Sequence, residues 1–120
     1  MNGVVKNVGR GLLREVVENM SEIKRFLAYR HDMNNRETHN ELQKNDESEP
    51  QFEGVVFSDG TVALRWLAPL RSTSIWPDIE TALGVHGHPE YGTDIIWFDC
   101  EPPEEWIRQC EAAGVHHSDL

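Results

Sequence analysis

Residues 51–67, QFEGVVFSDGTVALRWL, restrict the fold more than any other part of the chain. Two β-prone runs flank Ser58-Asp59-Gly60, and Asp-Gly supplies the positive φ angles of a tight turn, so the runs are expected to pair as an antiparallel hairpin. In the second run Val62, Leu64 and Trp66 share one face and Thr61, Ala63 and Arg65 the other, which puts Trp66 in the core. A third short strand is predicted over 73–76. Pro77, Asp78 and Glu80 then open a short helix whose Ile79, Ala82 and Leu83 face the sheet before Gly84 ends it. Residues 95–98 read as a buried strand. Pro102, Pro103, Glu104 and Glu105 start a last helix, with Trp106, Ile107 and Cys110 inward and Gly114 as its stop. A four-stranded, largely antiparallel sheet with both helices on one side satisfies these signals.

Upstream the period differs. Leu12, Leu13, Val16, Val17, Met20, Ile23, Phe26 and Leu27 recur at steps of three and four, which predicts an amphipathic helix over 10–30. Such a helix is long for the cover a small domain needs, so Val16, Met20, Ile23 and Leu27 are expected to bind a partner or a second copy. Residues 34–50, NNRETHNELQKNDESEP, hold a single aliphatic residue and read as a polar, acidic linker. The expected fold class is α+β: a helical arm (1–33), the linker (34–50) and a small sheet domain with two short helices (51–120).

Charge narrows the function. The chain of 120 residues carries a net charge of −10, which opposes binding along a nucleic-acid backbone. Residues 1–36 hold seven Lys or Arg against four acids, and residues 37–120 hold four against 17, a polarity that favours a contact between the basic end and an acidic surface. No run approaches the roughly 20 apolar residues of a membrane span, and the first residues lack a signal peptide's features, so a cytoplasmic protein is expected. Cys100 and Cys110 have neither disulfide-framework nor zinc spacing and read as free thiols.

Three groups of residues carry possible chemistry. His86, His88, Glu90 and Asp94 surround Gly87 and Gly92 in one short loop and could ligate a divalent ion, although no distant His or Cys pair completes a site. The competing reading has both imidazoles bonded to backbone in a turning loop. Arg65, Arg71, Ser72 and Thr73, next to Trp66, combine cations, hydroxyls and an aromatic platform suited to a phosphate or a base. His116 and His117 are expected to be solvated in a frayed tail. No nucleophile elbow or phosphate loop is present in the sequence.

The run FEGVVFSDGTVALRW, followed by RST and then VHGH, resembles a family of short proteins encoded by bacteriophages and actinobacteria. The resemblance spans about residues 52–98 and brings no catalytic residue or ligand with it. It implies a small β-rich domain of mobile-element character. The combined reading is a non-enzymatic, cofactor-free accessory or inhibitor protein that binds a protein partner, with a host protein as the candidate, and self-associates through its N-terminal helix. The alternatives are a small metal-dependent enzyme using the His-Gly-His loop and a nucleotide-binding module centred on Arg65 and Arg71.

Overall fold

The computed structural model describes residues 22–33, 41–99 and 101–119. Its centre is one six-stranded sheet: β1 (Lys24–Arg30), β2 (Phe52–Val56), β3 (Val62–Trp66), β4 (Thr73–Trp76), β5 (Thr93–Trp97) and β6 (His116–Asp119). The spatial order is β4-β3-β2-β1-β5-β6. Every pairing is antiparallel except β5 with β6, which is parallel. Helices α1 (Ile79–His86) and α2 (Glu104–Ala112) supply the second layer.

This architecture overturns the expected long N-terminal helix. The segment KRFLAYR, assigned to that helix's last two turns, is a central strand flanked by β2 and β5. The reason is a change of period that the continuous apolar pattern conceals. Ile23, Phe26 and Leu27 fit helical spacing, but Phe26, Ala28 and Arg30 are buried in strict alternation with Arg25, Leu27 and Tyr29. Two flanking strands hydrogen-bond this backbone and bury its inward face, which outweighs a weak helix preference. The segment's end is clamped as well: Arg25 donates from Nε and Nη2 to Asp99 at 3.1 and 3.0 Å. The other end of the sheet was missed for a different reason. His116 and His117, expected in a frayed tail, lie in β6, where His116 Nδ1 is 2.8 Å from Asp94 Oδ1.

The hairpin forms at the expected turn, with Gly60 at φ 93° and Thr61 N–H donating to Asp59 Oδ1 at 2.9 Å. Its register pairs Val56 with Val62 and Phe52 with Trp66. One sheet face collects Phe26, Ala28, Phe52, Val56, Val62, Leu64, Ile95 and Trp97, and against it pack Ile79, Ala82, Leu83, Trp106 and Cys110. At about 25 cal/mol per Å² of apolar surface, that shared face is the main source of stability. Gly54 belongs to this face because Phe26 lies across it: a Cβ there would come within 2.1 Å of the ring.

Helix α1 begins at Asp78, whose carboxylate accepts from Thr81 N–H at 2.7 Å. It passes through Gly84, the expected stop, and ends at Gly87, where an added Cβ would meet the Leu83 carbonyl at 2.4 Å. The next residue, His88, has φ 41°, and Gly92 has φ 67°. Residues 41–50, part of the predicted linker, are tied to the sheet domain: Leu70 N–H donates to the Leu42 carbonyl at 2.8 Å, and Asn45 N–H donates to Gln51 Oε1 at 2.8 Å. No helix among the described residues is long and apolar enough to cross a membrane.

Candidate ligand pocket

Arg30 closes β1 on the inward side of the sheet, in phase with Phe26 and Ala28, and is only 2% exposed. Few cations are buried to this degree without a carboxylate partner. Its guanidinium instead lies over the rings of Tyr91 (5.2 Å), Trp66 (5.3 Å) and Phe52 (5.7 Å). One terminal nitrogen donates to the His86 carbonyl at 2.6 Å, and the buried Nε has no hydrogen-bond partner among the described residues. Burial pushes the pKa down to about 10, against smaller opposing contributions from Tyr91 and Glu90. The group is charged at neutral pH, desolvated and incompletely satisfied.

Above it opens a pocket of about 410 Å³, within the range of about 300–1,000 Å³ typical of small-molecule sites. Trp66 and Leu70 form apolar wall, His86 and His88 line the side carried by α1 and the loop after it, and Gln43, Arg71 and Ser72 bring polar groups to the opening. The sequence places each group by a simple local rule. Trp66 ends β3 on the inward face, and its N–H donates to the Ser72 carbonyl at 2.9 Å, so the connection to β4 folds back and presents Arg71 and Ser72 beside the indole. His86 ends α1 with its ring edge-on to Trp66 (5.2 Å) and Trp76 (5.4 Å). Burial, then the nearby charge of Arg30, then His88 lower its pKa, so His86 is neutral at pH 7.

His88 sits in a left-handed conformation, which costs a non-glycine residue on the order of 1 kcal/mol. It is held there by Thr93 Oγ1, which donates to its carbonyl at 3.0 Å, by Glu90, 2.8 Å from Nδ1, and by stacking on Tyr91 at 4.6 Å.

The structure divides the residues proposed from sequence. Arg71 and Ser72 reach the pocket, whereas Arg65 and Thr73 pair on the opposite sheet face, Nη1 to Oγ1 at 3.0 Å. Trp66 is on the inward face as expected and also walls the pocket. His86 and His88 both line it, but Asp94 turns away to His116 and His31, and no group of three or more ligating side chains suited to a metal occurs among the described residues. Ile23 is exposed just before β1, and Leu27 is half-buried on the open face of the sheet. Val16 and Met20 lie outside the described residues. Sequence reasoning missed Arg30, Gln43 and Leu70. The signal for Arg30 was present: it continues the alternation Phe26, Ala28 as an inward-facing cation.

Fold and site together define a small α+β protein with a basic, aromatic-walled pocket at one end of its sheet. Residues 52–99 match the model of a family described as Acb5 phage protein. That match covers the hairpin, β4, α1 and β5, and so most of the pocket wall, while Arg30 and Gln43 lie before it. Comparison with curated proteins and with solved structures finds no match.

Proposed function

We propose that this protein is a phage-type accessory protein that acts without catalysis by holding a small organic anion in the Arg30 pocket. The observation that carries this reading is the Arg30 guanidinium itself, buried at the pocket with Nε unpaired among the described residues. A buried charge is costly unless an anion or other partner compensates it. Arg71 and Ser72 add a second cation and a hydroxyl donor at the opening. The net charge of −10 supports a small ligand over a polymer, because the whole surface repels an extended polyanion while the pocket is locally positive.

The test is a thermal-shift and calorimetric screen of small anions, from inorganic phosphate and sulfate to citrate and phosphorylated metabolites. Saturable stabilisation is expected for at least one of them and should be lost in Arg71→Ala. If no anion stabilises the protein at millimolar concentration, the reading is wrong.

A second reading, an inhibitor that docks on a protein, is favoured by β4. This strand is one edge of the sheet, and its Ile75 is 64% exposed. Edge strands with an exposed apolar side chain are templates for strand addition. Ile75→Lys should abolish capture of such a partner without altering anion binding.

A further inference from the structure

Resting on the anion reading, we infer that the ligand is a nucleoside phosphate: Arg30 and Arg71 answer its phosphate, while Trp66, Leu70 and Gln43 receive its base. The pocket wall is the argument. A site built for a bare phosphate or a sugar phosphate needs donors around its whole perimeter, yet here an indole, two imidazoles and a leucine make up half of the lining residues. Flat aromatic surfaces suit a planar heterocycle, and the stacking of one base on one ring is worth about 1–3 kcal/mol. Gln43 contributes an amide, which carries a donor and an acceptor on adjacent atoms, the pattern that matches the edge of a base. That residue sits in a short 3-10 turn held against the pocket by the Leu70 N–H to Leu42 carbonyl hydrogen bond, so its presentation is structural and not a chance of the surface.

The charges divide the remaining chemistry. Arg71 and Ser72 are exposed at the mouth, and Arg30 is buried. A ligand that meets both must be anionic along part of its length and apolar along the rest. Fatty acids and other flexible amphiphiles satisfy the charge but offer nothing to the Gln43 amide. A volume of about 410 Å³ also limits the ligand to about the size of a single nucleotide unit.

The experiment titrates the full chain with five classes of probe by calorimetry: inorganic phosphate, ribose 5-phosphate, adenosine, and the 5′-monophosphates of adenosine, guanosine, cytidine and uridine, with citrate as a non-phosphate anion. At least one monophosphate should bind tighter than ribose 5-phosphate by roughly tenfold or more, and adenosine monophosphate tighter than adenosine. Gln43→Ala and Leu70→Ala, both at exposed positions that folding does not need, should narrow the difference between monophosphate and ribose 5-phosphate. Ribose 5-phosphate binding as well as every monophosphate would overturn the base inference and leave the anion reading standing. Citrate binding in preference to all phosphates would overturn it equally. A nucleoside binding as well as its monophosphate would remove both, as would failure of every probe to bind.

Discussion

Replacing Arg30 by Met separates a ligand-binding cation from a structural strut. A strut would be expensive to lose: breaking a buried ion pair typically costs about 3–5 kcal/mol. The surroundings of Arg30 lead to a different figure. Burial pushes its pKa well below the usual guanidinium range, to about 10, and at about 1.36 kcal/mol per pKa unit the charged form is held at a cost on the order of 3 kcal/mol relative to water. Met removes that cost and keeps an apolar stem against Phe52, Trp66 and Tyr91. Against this stand the hydrogen bond to the His86 carbonyl, worth about 1.5–3 kcal/mol for a charged donor, and cation–π attraction of about 1–2 kcal/mol. The two sides nearly cancel, so the variant should unfold within about 1–2 kcal/mol of the parent, while anion binding falls below detection. Urea denaturation with and without ligand measures both. A loss of 4 kcal/mol or more in the unliganded protein would mean that Arg30 is a strut, and the free Nε would then be no sign of a ligand.

Other residues give sharper tests of the fold. Gly54→Ala should cost about 1–3 kcal/mol, because the Phe26 ring that its Cβ would strike is 2% exposed and edge-on to Trp97 at 5.3 Å, with no room to withdraw; in a double-mutant cycle Phe26→Leu should recover part of the loss. Cys110, fully buried with its thiol pushed up to about 12 mainly by burial, should stay unlabelled by thiol reagents in a Cys100→Ser background until the protein is unfolded. His86 is held neutral in the folded state, so the unfolded chain takes up its proton first as pH falls, and stability should decline from pH 6.5 downward, less steeply in His86→Gln.

What was legible in the sequence follows from how local each signal is. The hairpin was readable because Asp59-Gly60 sets turn and register within a few residues, and β4 because Thr73–Trp76 is bounded by a bend and a proline. Helix α2 announced itself through Pro103, Glu104 and Glu105. Strand β1 did not, because its neighbours in the sheet are separated from it by more than 20 residues on one side and more than 60 on the other. Phe26 and Leu27, with Ile23 before them, also fit helical spacing over one turn, although only Phe26 of the three faces inward. Strand β6 was hidden for a similar reason: HHSD has no strand propensity, and only the parallel register with β5 makes it one. The pocket inherits both gaps. Arg71, Ser72, His86 and His88 were named from local composition, but their meeting point, Arg30, depends on β1 being a strand.

Two buried polar atoms lack a partner among the described residues, Arg30 Nε and Trp97 Nε1, and only the first belongs to a residue that lines the pocket. The indole of Trp97 is fully buried between Phe26 and Trp106, the latter nearly parallel at 6.3 Å, and it does not line the Arg30 pocket. Its unpaired N–H costs about 1–3 kcal/mol, which the large apolar burial of the ring offsets, so it reads as a tolerated defect of packing. Arg30 cannot be explained in the same way. Its charge makes the unpaired donor more expensive, its aromatic neighbours could as well have packed against a methionine, and it opens onto a pocket that a second arginine also lines. Removing the unpaired donor at each position should therefore have opposite functional results. Trp97→Phe leaves a cavity where part of the indole was, so it should change stability by no more than about 2 kcal/mol and leave anion binding intact. Arg30→Met should leave stability nearly unchanged and end binding. The comparison needs only calorimetry and melting curves on two variants, and loss of binding in Trp97→Phe, with the fold retained, would show that the ligand site had been placed at the wrong end of the sheet.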